Sequence, residues 1–374
     1  MAAITQSSEL DAAAAGPATV PSRLTLAELG PRFEPVVIPV LALLASLLLF
    51  GAFVALAGQK PLDVFYEMYR GAFGTWFSFQ NTLQRASPLL LTALCTALPA
   101  RAGLVVIGGE GAFVLGGLGA AAAGVGLAGS PPTTVIAGMF AVGAAVGAFW
   151  IGLAGWLRAH RGVNETISSL LLSYIAIALL NHFVEGPLRD PESLNKPSTR
   201  HIGEANMVGP IPGLDVHWGL VVGVVACLLA YVLTERTVFG FSAALVGGNA
   251  RAARLSGVKV AKVIVVTCAL AGAAAGTAGA FEVAAVHGRA NASLAAGYGY
   301  AGILVSFLAR HHGLAIIPVS LFLGGIAASG GLLQRVFALP DATVNVLQGI
   351  LFVVLIASDT LYGRVRYKKP AGAT

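Results

Sequence analysis

The chain contains few charged residues. Lys, Arg, Asp and Glu make up 11% of its 374 residues, whereas soluble globular proteins carry about 25%. Hydrophobic residues make up 56%, and the mean hydropathy is +0.81. This composition excludes an ordinary soluble domain and indicates an integral membrane protein.

Cysteine is also scarce, with only Cys95, Cys227 and Cys268 in the chain. All three fall in apolar segments, no two form a CxxC pair, and an odd number cannot give a fully paired disulfide framework. We therefore expect three small, buried packing residues.

The short motifs that hold nucleotides, metals or nucleophiles are missing. The sequence contains no GxxxxGK[ST], HExxH or GxSxG motif and no Cys/His metal cluster. The chain is therefore predicted not to be an enzyme and to carry no cofactor. Its net charge of +6 is attributed to orientation in the bilayer, because the cations flank apolar segments without interleaved aromatic residues. No nucleic-acid partner is expected.

Long apolar segments make up most of what is present. About 20 apolar residues are needed to cross a bilayer, and ten segments meet or approach that length. They predict an all-α, polytopic membrane protein with about ten transmembrane helices and cytoplasmic N- and C-termini. The candidate spans are residues 36–57, 83–100, 110–128, 133–157, 167–184, 218–233, 263–285, 298–308, 314–333 and 343–356.

The distribution of Lys and Arg supports this orientation. Fifteen of the 23 cations fall on the cytoplasmic side and eight outside, which is the bias that the positive-inside rule requires. We expect a disordered cytoplasmic tail over residues 1–35, a transmembrane domain over 36–358 and a basic cytoplasmic tail over 359–374. An external loop is expected at about 185–217 and a basic cytoplasmic loop at about 234–262.

Glycine is abundant, at 47 of 374 residues, where about 7% is usual. Helices in lipid gain little from hydrophobic burial against one another, so small residues that allow close backbone contact become the main adhesive. The spans are predicted to form one compact bundle.

The basic loop contains the most distinctive polar segment. Residues 247–258 read GGNARAARLSGV, which predicts a short helix with small residues on one side and glycines at both ends. Such a helix would dock in a groove of a partner. Arg251 and Arg254 would share a face and contact acidic groups, or each would only anchor the topology. Ala252 and Ala253 would permit close packing.

Polar residues inside or at the ends of spans are candidates for a pathway through the membrane. Glu110 either faces such a pathway or is a first-turn acid stabilised by the helix dipole near the cytoplasmic interface. Asn181 and His182 lie at the outer end of a span, where polar residues are also ordinary. Tyr298 and Tyr300 would offer flat faces to a ring-shaped solute, or belong to the interfacial aromatic belt.

Four groups of motifs occur in a fixed order. They are RAGL with IGGEG at 101–111, GVNETIS with YIA and GPLRDP at 162–191, GNARAAR at 248–254 and GYGYAGI at 297–303. Together they resemble the permease subunits of ABC importers in the branched-chain amino acid and simple-sugar group, most closely the nucleoside branch. The resemblance covers roughly residues 36–356.

This resemblance implies a permease of the cell inner membrane that transports nucleosides or a related sugar-containing solute. Implied partners are cytoplasmic ABC ATPase subunits, a second permease copy or paralogue, and an extracytoplasmic solute-binding protein. The implied coupling helix contains Gly248, Asn249, Arg251, Ala252, Ala253, Arg254 and Gly257. Three positions depart from the family pattern, with Val106 in place of Asn, Ala112 in place of Gln and Ser173 in place of Asn.

Two other classes of protein compete with this interpretation. A self-sufficient, ion-coupled secondary transporter would use carboxylates within the membrane to bind the driving ion, and acids in the middle of spans are scarce here. A membrane-embedded transferase would need convergent acids or a His cluster, and the external loop offers only scattered acids.

Overall fold

The computed structural model describes residues 26–193 and 195–359. Over these residues the chain is a bundle of α-helices, and its only β structure is two isolated bridges, Ser198 with Asn291 and Pro210 with His217. The predicted all-α class is confirmed. The N-terminal tail up to residue 25 and the C-terminal tail from residue 360 lie outside the described residues.

Thirteen α-helices follow one another in the described part of the chain, and the first begins ten residues before the predicted start of the transmembrane domain. A π-helical turn, Glu282–His287, continues α10. The helices are α1 Leu26–Leu56, α2 Pro61–Phe73, α3 Trp76–Ala100, α4 Gly109–Gly126, α5 Pro132–Arg161, α6 Glu165–Glu185, α7 Gly219–Arg236, α8 Val238–Gly248, α9 Ala250–Leu255, α10 Val260–Phe281, α11 Tyr298–Leu308, α12 Gly313–Phe337 and α13 Thr343–Asp359.

The ten predicted spans are all largely helical, but fewer of them are long and apolar enough to cross a membrane alone. Five helices in the described chain meet that test, namely α5, α6, α7, α10 with its π turn, and α12. The pair α1 and α2, bent by 115°, would make six. The expected count of about ten is therefore not reached. Polar residues in α3, and glycines with Glu110 in α4, lower the hydropathy of those helices, whereas α11 and α13 are short.

Helix α10 lies at the centre of the bundle and packs against α3, α4 and α5. Its contact with α5 is made by backbone. A Cβ atom added to Gly147 of α5 would lie only 2.8 Å from the Cα atom of Gly276 in α10. Gly143 of α5 and Gly116 of α4 approach Gly276 in the same way. We call these four residues the glycine seam. It confirms that small residues hold the helices together, and Cys95, Cys227 and Cys268 are buried and unpaired as expected.

The two faces of the bundle differ in what covers them. On the predicted cytoplasmic face, Arg101 after α3 pairs with Glu235 of α7 at 3.2 Å, next to α8 and α9. On the opposite face, residues 186–193 and 195–218 connect α6 with α7 and bond to residues 284–290. Backbone hydrogen bonds tie the two segments together: Thr199 N to Ala290 O at 2.9 Å, Ile202 N to Gly288 O at 2.9 Å, and Val208 N to Ala284 O at 2.8 Å.

Candidate functional site

A non-helical segment leads into α4. After α3 ends at Ala100, residues 104–108 run back into the bundle before α4 begins at Gly109. Backbone groups cannot be left unpaired where water is excluded, and side chains of α3 and α6 supply the missing partners. Thr96 Oγ1 donates to Val106 O at 3.1 Å, Thr166 Oγ1 donates to Val105 O at 2.8 Å, and Ser169 Oγ accepts from Ile107 N at 3.1 Å.

The three departures from the family pattern lie around this segment. Val106 and Ala112 have no exposed surface. Ser173 is also buried, and its Oγ accepts a hydrogen bond from Gly111 N at 3.3 Å. The three side chains therefore pack the first turn of α4 inside the bundle, and the shorter Ser173 still satisfies a backbone donor.

The carboxylate of Glu110 joins α4 to α11. Its Oε1 accepts from Gly297 N at 2.8 Å and its Oε2 accepts from Gly299 N at 2.6 Å, while the residue is 1% exposed. The unpaired N–H groups and the positive dipole end of a helix N-terminus stabilise an anion placed there. Glu110 does lie in the first turn of α4, as one hypothesis had it, but the helix that it caps is α11.

Gly299 permits this contact. A Cβ atom at that position would overlap the backbone N and Cα atoms of Glu110 and would lie 2.5 Å from the carbonyl carbon of Gly109. The first turns of α4 and α11 therefore touch backbone to backbone. The 11 residues of α11 rise about 16 Å, roughly half of the hydrocarbon core. We call the contact of Gly109 and Glu110 with Gly297 and Gly299 the helix junction.

A cavity of about 430 Å³ opens beside the helix junction, between α3, α11, α12 and α13. Its volume lies in the range of about 300 to 1,000 Å³ that is common for small-molecule sites. Gly297 belongs to both the junction and the wall of the cavity. The walls combine polar and apolar side chains, including Arg85, Leu89, Tyr298, Tyr300, Ile303, Asn345, Gln348 and Phe352.

On the cytoplasmic face, α9 is a short helix with defined ends. Asn249 caps its start, where Oδ1 accepts from Arg251 N at 3.0 Å and from Ala252 N at 3.1 Å. At its end, Gly257 has a φ of +83°, and Val258 N bonds to Ala253 O at 3.0 Å. This pattern is the Schellman motif, which favours glycine. The predicted glycine-flanked helix is thus present.

The side chains of α9 divide into one buried residue and an exposed surface. Ala253 has no exposed surface, so it packs against the bundle and is not free to contact a partner. Arg251, Ala252 and Arg254 are exposed. Leu255 is 86% exposed.

The family of the chain follows from comparison with known proteins. Residues 78–356 match the family described as the branched-chain amino acid transport system / permease component. The chain belongs to this family. It is therefore a permease component with several apolar helices, and a multi-pass membrane protein.

Relatives of the permease carry names that include sugars and nucleosides. It is 33% identical to the glucose ABC transporter permease protein TsgB13 of Haloferax volcanii, covering 86% of this chain and 87% of the relative. It is 25% identical to the guanosine ABC transporter permease protein NupP of Bacillus subtilis, with 87% and 94% covered. It is 22% identical to the nucleoside ABC transporter permease protein NupB of Lactococcus lactis subsp. cremoris, with 87% and 92% covered.

The structure brings only some of the predicted pathway residues of the permease together. Tyr298 and Tyr300 line the cavity, and Glu110 bonds to Gly297, which lines it too. Asn181 is half-buried and His182 exposed at the end of α6, and neither lines the cavity.

Three polar residues in the cavity wall were not predicted, namely Arg85, Asn345 and Gln348. Asn345 and Gln348 stand three residues apart in an otherwise apolar final helix. That spacing places two hydrogen-bonding side chains on one helical face. This spacing is the sequence signal by which the two amides could have been found.

Proposed function

We propose that this chain is the transmembrane permease subunit of an ATP-binding cassette importer and forms a translocation pathway for nucleosides or a related sugar-containing solute. Membership in the permease family supports the class. The names of the relatives contain the words glucose, guanosine and nucleoside, which supports a sugar or a nucleoside as the solute. The chain has no nucleotide-binding motif, so separate cytoplasmic ATPase subunits would supply the energy.

The remaining parts of the assembly follow from this class. A second permease subunit, identical or homologous, would complete the membrane part in the cell inner membrane. An extracytoplasmic solute-binding protein would deliver the solute to the face that carries residues 186–193 and 195–218.

The observation that carries the proposal is a series of contacts from α9 to the helix junction. The end of α8 meets the turn after α3, because a Cβ atom on Gly247 would lie 2.8 Å from Arg101 O and from Gly103 N. That turn leads directly into residues 104–108 and then into Gly109 and Glu110 of α4. Glu110 in turn holds the first turn of α11.

Under this proposal α9 is the coupling helix. Its capped ends make it a defined unit, and the buried Ala253 fixes it to the bundle. The exposed cations Arg251 and Arg254 would contact acidic groups of the ATPase, with Gly248, Asn249, Ala252 and Gly257 shaping the same surface. Closure of the ATPases would displace α9, and the displacement would reach α4 and α11.

The pathway would then open to one side of the membrane at a time. Nucleotide and solute shift such an equilibrium only through a difference in their affinity for the two states. The helix junction is a suitable element to differ between the states, because two hydrogen bonds hold α11 to α4.

The test is reconstitution of the permease with its ATPase subunits and binding protein in proteoliposomes. We expect uptake of guanosine or glucose that requires ATP, and no uptake by the permease alone under a proton or sodium gradient. Gradient-driven uptake by the permease alone would overturn the proposal in favour of a secondary transporter.

Charge reversal tests the coupling surface separately. The double variant R251E/R254E is expected to lose association with the ATPase and most ATP-driven uptake. The variant R161E changes another exposed cytoplasmic arginine, at the end of α5, and is expected to retain both. Normal uptake by R251E/R254E would exclude these two arginines from coupling.

A further inference from the structure

Two side-chain amides in the wall of the cavity beside the helix junction are available for hydrogen bonds to a ligand. Asn345 and Gln348 lie on one face of α13, and both line the cavity. Within the part of the chain that the structure describes, neither side chain forms a hydrogen bond to another residue. Asn345 is exposed in the first turn of α13 and Gln348 is half-buried one turn further on, so both amides are accessible from the cavity, and a polar side chain on a membrane helix normally faces a pathway or a partner. The two amides therefore point to a polar ligand in the cavity.

Arg85 of α3 gives the cavity a positive charge. It lines the cavity, where its side chain is exposed. The described residues that form the cavity wall include no Asp or Glu. A permanent cation without a carboxylate beside it in the wall repels a cationic ligand and tolerates a neutral one.

Flat and apolar groups complete the wall. Tyr300 and Phe352 contribute aromatic rings, and Leu89 and Ile303 contribute aliphatic surface. Neutral sugars and nucleosides combine an apolar ring face with several hydroxyl groups. Aromatic rings suit the apolar face, whereas amide groups both donate and accept hydrogen bonds and so suit hydroxyl groups.

We propose that this cavity binds the solute during transport, that Asn345 and Gln348 recognise hydroxyl groups of a neutral sugar ring, and that Arg85 excludes cationic analogues. The inference rests on the proposed importer function and adds a selective site within the membrane. Discrimination by the permease would then act after that of the binding protein.

The test for the amides uses variants of similar size that cannot hydrogen-bond, Asn345→Leu and Gln348→Met. Uptake of glucose and 2-deoxyglucose, and of guanosine and 2′-deoxyguanosine, is measured in proteoliposomes that contain the complete importer. The binding protein is the same throughout, so a change in the ratio between a solute and its deoxy analogue belongs to the permease. Removing the partner of a solute hydroxyl group reduces discrimination against the analogue that lacks it.

We expect the double variant N345L/Q348M to take up the hydroxylated solute at least about tenfold more slowly, and the preference over the deoxy analogue to shrink. The control is Val353→Leu, which changes an exposed residue of α13 outside the cavity. Insertion of each variant is checked by size-exclusion chromatography, and Q348M alone replaces the double variant if that variant is poorly inserted. Unchanged rates and ratios would overturn the role of the amides.

Arg85→Gln tests the exclusion of cations. Glucosamine is protonated at neutral pH and differs from glucose by one amino group. We expect R85Q to raise glucosamine uptake relative to glucose by about tenfold, because the repulsion between two cations is removed. An unchanged ratio would overturn the role of Arg85. Failure of the wild-type importer to transport either guanosine or glucose with ATP would instead contradict the proposed function, so the two failures are distinguishable.

Discussion

Glu110 Oε2 accepts a hydrogen bond from Gly299 N at 2.6 Å, which joins the first turns of two helices that are far apart in the sequence. A charged acceptor forms stronger hydrogen bonds than a neutral one, and α11 has no acidic residue of its own in its first turn. The start of α11 is therefore held mainly by a side chain of α4. The position of α11, and of the cavity wall that it forms, depends on this contact.

Replacing Gly299 tests the close approach of the two helices. We expect Gly299→Ala to lower the free energy of unfolding of the purified permease by about 3 kcal/mol, the upper end of the range that is typical of overpacking. The cost is high because backbone atoms of Glu110 would have to move. Gly331→Ala in α12 is the control, since a Cβ atom there meets nothing within 4 Å. Equal melting temperatures for the two variants would contradict the contact.

Replacing Glu110 tests the hydrogen bonds themselves. Glu110→Ala leaves two N–H donors unpaired, the buried one of Gly299 at a cost of about 1–3 kcal/mol and the half-buried one of Gly297 at a smaller cost. Glu110→Gln retains one acceptor oxygen, so its loss of stability should be smaller. We expect the order wild type, E110Q, E110A in thermal melts, and a parallel order in ATP-driven uptake. Loss of uptake in E110Q with no loss of stability would assign Glu110 to the solute instead.

Leu255 and Ala253 form a matched pair on α9. Leu255 is 86% exposed, so Leu255→Ser is expected to leave the melting temperature of the permease unchanged and to weaken its binding to the ATPase. Ala253 is fully buried, so Ala253→Leu is expected to lower the melting temperature by overpacking. Co-purification and thermal melts measure the two effects. A stable L255S variant with normal ATPase binding would remove Leu255 from the interface.

The buried position of His217 predicts that the folded permease loses stability in acid. His217 is 5% exposed just before α7, its Nδ1 accepts from Gly219 N at 3.1 Å, and burial lowers its pKa from 6.5 to about 4. The folded protein therefore keeps His217 neutral while the unfolded chain binds a proton below pH 6.5. Stability falls as the pH drops from 6.5 towards 4, by up to roughly 3 kcal/mol. His217→Gln should show a smaller fall than the wild type in melts at pH 7 and pH 5.

Sequence reasoning was sufficient for α9 because its signals are local. Asn249 at the start and Gly257 at the end lie within one short segment, and each acts on backbone groups two to five residues away. The same holds for the ten helical segments, whose apolar composition is visible in any window of the chain. The burial of Ala253, in contrast, depends on helices that are remote in sequence, so the outward side of α9 was only partly predicted.

The helix junction and the cavity were not predictable in the same way. Glu110 and Gly297 are 187 residues apart, and no local sequence pattern indicates that the first turns of α4 and α11 are in contact. Arg85 and Gln348 are far apart in the sequence and share a cavity only through the packing of α3 against α11 and of α11 against α13. The sequence therefore identified Tyr298 and Tyr300 as candidates, without identifying what stands opposite them.

The glycine seam has a mechanical consequence. Side chains between two helices usually allow small sliding motions, because their rotamers can change to follow the movement. No such layer separates Gly147 from Gly276, and the two backbones lie in direct contact. We therefore expect α5 and α10, together with α4 that joins them through Gly116, to shift as one rigid body.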